Sequence, residues 1–200
     1  PGIARDTGSL CLGVTICEDA WQHAGKTPTD YESDPIQQLT AFGKELDASV
    51  NLSASPFHIE KYDIRKEVVQ KAAKTLNHPF LLVNQVGGND DLLFDGRSVA
   101  AWPNGEIIEA PAWQEGVLIV DLDTPQRSSW IAWPEGISLE DNDDLLNSIV
   151  MGLSDYCRKS GLEKVVLGLS GGIDSAVTAA IASIALGPKN VIGISMPSRI

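Results

Sequence analysis

Apolar residues recur along this chain in two rhythms, and each change of rhythm marks a change of element. Residues 10–16 are apolar and strand-like, and they end at Cys17-Glu18-Asp19, three polar positions that would break a buried strand. Cys17 is therefore expected at a strand tip. Asp34-Pro35 supplies a cap followed by proline at the first helical position. Ile36, Leu39, Phe42 and Leu46 then recur at helical spacing, which predicts a helix over residues 35–47. Residues 49–52 read as a short strand, followed by the small, turn-forming run Ser53-Ala54-Ser55-Pro56. A second helix is predicted over 60–76, with Ile64, Val68, Ala72 and Leu76 on one face, and residues 80–84 form the next strand. Strand, helix, strand, helix, strand in succession argues for an α/β fold with helices layered on a sheet.

The texture then changes. Gly87-Gly88-Asn89-Asp90, Asp95-Gly96 and Pro103-Asn104-Gly105 punctuate short strands at 92–94, 98–102 and 106–109, the pattern of antiparallel hairpins, and residues 117–122 complete this part. No periodicity survives over 123–144, among Pro125, Ser128, Ser129, Pro134, Gly136 and a group of acids. Past it, Asp141 or Asn142 is expected to cap a helix with an apolar stripe of Leu145, Leu146, Ile149, Leu153 and Tyr156, ended by Gly161. Residues 165–169 form a fully apolar strand, 170–174 a loop, 175–186 an alanine-rich helix closed by Gly187-Pro188, and 191–196 another strand. This is one βαβ unit. The expected division is a first domain over 1–124, a linker over 125–140 and a second domain over 141–200.

Composition narrows the partners. A formal net charge of -12 and a pI near 4.5 leave no basic face for a sequence-independent grip on nucleic acid. Cys11, Cys17 and Cys157 are scattered without metal-ligand spacing, and their odd number does not make a disulfide framework. A reducing cytoplasm is the expected setting. No apolar run approaches the roughly 20 residues that cross a bilayer, so membrane residence is not expected. Both ends look cut, because Pro1-Gly2 feeds a strand almost at once and Ile200 stops just after another.

The loop after residue 169 carries the clearest chemistry. Between a strand and a helix start, unpaired backbone N–H groups and the positive end of the helix dipole favour an anion. Gly171 and Gly172 admit a close approach, and Ser170 and Ser175 can donate to phosphate oxygens. Asp174 is oddly placed for phosphate unless it holds a cation such as Mg²⁺. A plain glycine turn with a serine cap is the alternative. The run Ser170-Gly171-Gly172-Ile173-Asp174-Ser175 resembles the SGGxDS motif of ATP-pyrophosphatase enzymes, and no Gly-Lys-Ser/Thr follows to make it a kinase-type loop. The resemblance implies ATP held by Gly168, Leu169, Ser170, Gly171, Gly172, Ile173, Asp174 and Ser175, with Mg²⁺ at Asp174 and adenylation as the outcome.

Cys17 is the second candidate. A thiol at a strand tip can be a nucleophile or a half-buried structural cysteine, and the residues alone leave both open. His23, His58 and His78 lie near helix or loop boundaries and read as surface or capping residues rather than bases. Gly13-Val14-Thr15-Ile16-Cys17-Glu18-Asp19-Ala20-Trp21 resembles the nucleophile segment of the nitrilase or carbon-nitrogen hydrolase superfamily. Residues 51–57, 83–90 and 94–98 also match, and together these segments resemble the glutaminase domain of the glutamine-dependent NAD synthetase family. The resemblance implies Cys17 as catalytic nucleophile and Ser55 and Lys61 as residues holding the glutamine amino-acid group. Without it, Ser55 is a turn serine and Lys61 a solvated helix lysine. The family's triad places a glutamate and a lysine before the cysteine, and residues 1–16 contain neither. Little or no activity is therefore expected of these 200 residues in isolation. Glu18 is no substitute, since in a continuing strand its side chain points away from that of Cys17.

Joined, the two halves resemble the NAD synthetase family over nearly the whole chain, as do residues 156–161 and 196–199. The implied fold is the C-terminal part of a nitrilase-like αββα sandwich followed by the start of a Rossmann-like ATP-pyrophosphatase (adenine nucleotide alpha hydrolase-like) domain. The implied partners are glutamine, nicotinic acid adenine dinucleotide and Mg-ATP, in a homo-oligomer. The rival readings are a simple amidase indifferent to ATP and a non-catalytic ATP-binding module.

Overall fold

The computed structural model describes residues 3–6, 10–28, 31–42, 45–133 and 143–196, which fall into two compact units. The first comprises Pro1–Val86 with Phe94–Gly136, the second Gly87–Leu93 with Ile137–Ile200.

The first unit is built on a sheet of six strands. β1 (Ile3–Asp6) pairs antiparallel with β2 (Cys11–Ile16), which runs parallel to β3 (Ala48–Ser53) and through it to β4 (Phe80–Asn84). Helices α1 (Glu18–His23), α2 (Pro35–Thr40) and α3 (Lys61–Leu76) make the connections. The hairpin of β5 (Val86–Asn89) and β6 (Leu92–Asp95) comes next in the chain, its residues Gly87–Leu93 belonging to the second unit. β7 (Val99–Ala101) and β8 (Ile107–Glu109) then extend the sheet antiparallel, giving the order β1-β2-β3-β4-β7-β8. β9 (Gly116–Ile119) pairs with β10 (Ser129–Ala132) as a separate two-stranded ribbon.

Because side chains alternate across a strand, the central strands sort their residues onto two faces. One face buries Thr15, Ser49, Asn51, Phe80, Leu82, Val99 and Ala101, and Ala20, Trp21, Ile36, Val68, Val69, Ala72 and Ala73 complete its core from the helices. Where β2 and β3 meet, Gly13 has no room for a Cβ, which would run into the Ser49 hydroxyl. The opposite face carries Ile16, Leu52 and Val83 in register across β2, β3 and β4, at 65%, 51% and 46% exposure.

Several expectations are corrected here. The helix expected over 35–47 stops at Thr40: Asp34 caps its start, but Ala41 closes it, and Leu46 reaches the interior from the following loop. Residues 18–23 form α1, where only strand-breaking residues were read. β1 lies ahead of the strand expected over 10–16, and residues 86–89 are strand β5 where a glycine turn is expected. Residues 129–132, expected within a linker, pair with β9 and belong to the first unit. His23 is not a surface residue. It is buried, with Nδ1 2.7 Å from Asp34 Oδ2 and Nε2 2.9 Å from Thr75 Oγ1, tying α1 to the cap of α2 and the end of α3. His78 is half-buried with Nε2 2.8 Å from Ser49 Oγ, and its desolvation pulls its pKa down, partly offset by Asp47.

Arg65 is the strongest departure. The expected apolar face of α3 holds, with Val68 and Ala72 buried and Ile64 and Leu76 packed against the core, yet Arg65 is fully buried beside them. Its guanidinium donates to both carboxylate oxygens of Asp95, at 2.8 and 3.2 Å, and to the carbonyl of Gly96 at 3.0 Å.

In the second unit, α4 (Asp144–Lys159) precedes β11 (Val165–Leu169), α5 (Ile173–Leu186) and β12 (Val191–Ser195), and β11 and β12 pair in parallel. The expected βαβ unit is present, but α5 begins at Ile173 rather than at residue 175. Asp143 caps α4, accepting from the Leu146 N–H at 3.0 Å, while Asp141 and Asn142 lie outside the described residues. The expected stripe of α4 is not its buried face. Asn147, Ser148, Val150 and Cys157 are buried, whereas Leu145, Ile149 and Tyr156 are exposed. β11 is apolar as expected but not buried, with Val166 61% exposed, because a two-stranded sheet covers its own strands poorly. Within this unit the Gly88 N–H donates to Asp155 Oδ2 at 2.8 Å, and Asp155 Oδ1 accepts from Arg158.

Removing one partner of the buried Arg65–Asp95 pair leaves an uncompensated charge away from water. Asp95→Ala is expected to cost about 3–5 kcal/mol. Denaturant unfolding read by tryptophan fluorescence checks this, since all five tryptophans lie in the first unit. A loss below about 1 kcal/mol would show the guanidinium to be otherwise satisfied.

Candidate active site and phosphate loop

The parallel strands β2, β3 and β4 end side by side, so the residues at or just beyond their carboxyl ends converge. At the end of β2 stands Cys17, with φ 46° and ψ −113°, turning the chain from strand directly into α1. A left-handed φ is rare for a residue with a Cβ and costs on the order of 1–3 kcal/mol. It persists because its neighbours hold it. The Cys17 N–H donates to the Leu52 carbonyl at 2.9 Å, continuing the β2–β3 ladder, while the Cys17 carbonyl accepts from Asn51 Nδ2 at 3.2 Å. Asp19 Oδ2 accepts from the Ile16 N–H at 2.8 Å on the strand side of the bend. The thiol is half-buried, neither sealed in the interior nor fully in water. Glu18 opens α1 instead of extending the strand, and its carboxylate accepts from the Tyr31 hydroxyl at 2.5 Å, which raises the Tyr31 pKa.

Ser55 lies two residues past β3. It is buried, its hydroxyl has no hydrogen-bond partner among the described residues, and its backbone N–H donates to Asn84 Oδ1 at 2.9 Å. Lys61 opens α3 with its ammonium 5.3 Å from the ring centre of Trp21. Partial burial lowers the Lys61 pKa, and the Arg65 charge lowers it further; Cys17 and Asp95 pull it back up. Cys17, Lys61, Arg65 and Asp95 therefore share one electrostatic environment. An apolar cavity of about 410 Å³, lined among others by Leu81, Val83, Val117, Leu118 and Trp130, is a different place: Cys17, Ser55 and Lys61 do not line it.

Asn84, Arg65 and Asp95 were not foreseen as parts of this region. Arg65 sits three, four and seven residues before Val68, Val69 and Ala72, a spacing that puts it on the buried face of α3 and could have flagged it.

In the second unit Gly168 and Leu169 are ladder residues of β11, opposite Ile194 and Ser195 of β12. The loop follows directly. Gly171 has φ 87°, a conformation glycine adopts freely, and nothing lies within 4 Å of where its Cβ would be. Gly172 caps α5, so Ile173, Asp174 and Ser175 form the first helical turn with N–H groups that lack intrahelical acceptors. Ser170 Oγ and Ser175 Oγ are 3.3 Å apart, and Ser175 Oγ donates to the Gly172 carbonyl at 2.9 Å. Ser170 through Asp174 are exposed. Among the described residues no three His, Cys, Asp or Glu side chains cluster as a metal site, so Asp174 stands alone as a carboxylate in the first turn of α5. No helix there is long and apolar enough to cross a membrane.

Comparison with known proteins gives the same two-part picture. Residues 3–132 match the carbon-nitrogen hydrolase family and residues 145–200 match the NAD synthase family. The chain is 43% identical over 189 residues to a glutamine-dependent NAD(+) synthetase of Synechocystis, covering 94% of this chain and 34% of that protein. It is 41% identical over 195 residues to the Rhodobacter capsulatus enzyme of the same name, covering 96% and 33%. A glutamine-dependent NAD+ synthetase of Acinetobacter baumannii, solved in complex with adenosine diphosphate, superposes with a TM-score of 0.76 at 34% identity, covering 98% of this chain and 35% of that one. The chain thus spans about a third of the length of these relatives. With the family match running from β1 through β10 and Cys17 standing at the bend between β2 and α1, this chain belongs to the carbon-nitrogen hydrolase family.

Proposed function

We propose that the chain is part of a glutamine-dependent NAD synthetase in which Cys17 releases ammonia from glutamine and the loop over residues 168–175 binds ATP for the step that consumes it. The observation that carries the reading is the half-buried thiol on a left-handed turn at the carboxyl end of a parallel strand, on one polypeptide with a phosphate-type loop. The relatives' names supply the overall reaction.

In the glutaminase step Cys17 Sγ attacks the side-chain amide carbon of glutamine. The tetrahedral intermediate collapses with the C–N bond breaking, the nitrogen leaves as ammonia with the proton the thiol gave up, and water hydrolyses the thioester to glutamate and the free thiol. Lys61 supplies a positive charge for the α-carboxylate, and the Ser55 hydroxyl supplies a hydrogen bond that none of the described residues uses. A glutamate and a lysine completing the triad are not assigned to residues of this chain.

In the synthetase step the substrate is nicotinic acid adenine dinucleotide, adenylated by ATP and then amidated to NAD. The fit of the loop rests on its donors: unpaired N–H groups at the start of a fourteen-residue helix, two hydroxyls in reach of one another and a glycine leaving open space. Asp174 would hold Mg²⁺ with water completing the shell, and the ion would neutralise phosphate charge. That answers the otherwise unfavourable pairing of a carboxylate with an anion. A homo-oligomer in a reducing cytoplasm is part of the same proposal.

Three outcomes are expected of the enzyme that contains this chain. Cys17→Ala lowers glutamine-driven NAD formation more than about a thousandfold, while synthesis from added ammonium stays within about twofold. Equal loss of both would contradict the division of labour. Asp174→Asn lowers the rate with either nitrogen donor and raises the Mg²⁺ concentration needed; unchanged kinetics would reduce Asp174 to a helix-terminal carboxylate.

The third outcome concerns pH. The charged form of Lys61 binds the carboxylate, and burial lowers its pKa, so the charge disappears at a pH below the usual lysine range. KM for glutamine should therefore climb as pH rises through that lowered value. Lys61→Arg keeps its charge and should move the climb upward, although the amino group of glutamine titrates identically in both enzymes. Superimposable KM profiles would remove Lys61 from the site.

A further inference from the structure

Resting on the reading of the Cys17 region as a glutamine site, we propose that Asn84 is a positioning residue that sets how tightly the pocket holds glutamine, by fixing the backbone at Ser55. The Ser55 hydroxyl is buried and unpartnered among the described residues, an unfavourable arrangement unless a ligand supplies the partner. Its usefulness to a ligand depends on where its backbone is held. Ser55 is past the end of β3, so no sheet ladder orders its N–H; that group donates to Asn84 Oδ1 at 2.9 Å in a buried setting.

Asn84 is itself held on every side. Its backbone N–H donates to Ser98 Oγ at 3.0 Å, and Nδ2 donates to the Gly96 carbonyl at 2.9 Å, with Asp95 Oδ1 further off at 3.5 Å. Both neighbours of Nδ2 are acceptors, so the amide has one sensible orientation, with Oδ1 facing the Ser55 N–H. The acceptors are in turn fixed by Arg65, which donates to both Asp95 oxygens and to the Gly96 carbonyl. Four residues thus form one chain of donors and acceptors ending at the Ser55 backbone. Asparagine is required in the middle of it. Aspartate would set a second carboxylate against Asp95, and alanine would leave the Ser55 N–H unpaired.

The test is steady-state kinetics of the full-length enzyme carrying Asn84→Ala, alone and combined with Ser55→Ala. KM for glutamine is expected to rise about tenfold, with kcat and ammonium-driven synthesis within about twofold of the parent. In the Ser55→Ala background the Asn84→Ala change should have almost no further effect, because its route to substrate is already gone. An unchanged KM, a fall in kcat without a change in KM, or full additivity of the two substitutions would each overturn the proposal. If Asn84→Ala does not fold, Asn84→Ser, which leaves a smaller void and a hydroxyl in place, is judged by the same outcomes. Failure of the underlying glutamine reading is separately visible, as glutamine-driven synthesis that survives Cys17→Ala.

Discussion

A guanidinium taken completely out of water must bring its counter-charge with it, and the first unit of this protein is organised around that requirement. Arg65 on α3 and Asp95 at the end of β6 are both buried, joined by two hydrogen bonds, with the Gly96 carbonyl taking a third. Such a pair contributes little net stability over a well-packed apolar equivalent, since desolvation consumes most of the Coulombic gain. Its effect is geometric. Only one placement of α3 against the chain at residues 95–96 satisfies both charges, and that placement fixes the acceptors that orient Asn84. The same helix begins at Lys61, so the registry that satisfies Arg65 also sets where the Lys61 ammonium stands.

The nucleophile segment obeys a second constraint of the same kind. A parallel strand must leave its sheet somewhere, and at Cys17 it does so in a single residue by adopting a left-handed φ, which a Cβ-bearing residue resists. The Leu52 carbonyl and the Asn51 side chain, both from β3, hold its backbone on either side. The glycine loop after β11 solves the same topological problem without strain, because Gly171 takes the positive φ. In both units, then, the candidate chemistry lies at the carboxyl end of a parallel strand where a helix starts, but one site is braced by buried polar groups and the other is open to solvent.

Much of this was legible from residue patterns. The alternation of strands and helices, the hairpin that turns at residues 103–105, the βαβ unit and the positions of Cys17 and the glycine loop follow from periodicity and turn chemistry acting over a few residues. What was illegible depended on side-chain partners that hydrophobic spacing does not reveal, most of them distant in sequence. α1 is six residues long and opens on Glu18-Asp19, which look like strand breakers until Asp19 is seen to accept from Ile16. Arg65 reads as a polar position on an amphipathic helix because Asp95 lies thirty residues away. His23 reads as a boundary residue because Asp34 and Thr75 reach it from other helices. In α4 the apolar positions do not mark the buried face: Asn147 and Ser148 are covered and Leu145 and Ile149 are not. Hydrophobic spacing says which residues can share a face, while the neighbour present decides which face is used.

The same distinction explains the bare side of the main sheet. Ile16, Leu52 and Val83 form an apolar row across three strands, and Val14, Val50 and Leu81 form the next row in register beside it. Water against such a surface costs on the order of 25 cal/mol per Å², so an apolar second face favours a second cover. Helices α1, α2 and α3 cover one. A four-layer sandwich of the carbon-nitrogen hydrolase type sets a second sheet on the other. Ile16 belongs to that row and precedes Cys17 directly, so the apolar surface of the sheet runs to the margin of the thiol. Burial of the sheet and the surroundings of the nucleophile are therefore one packing problem.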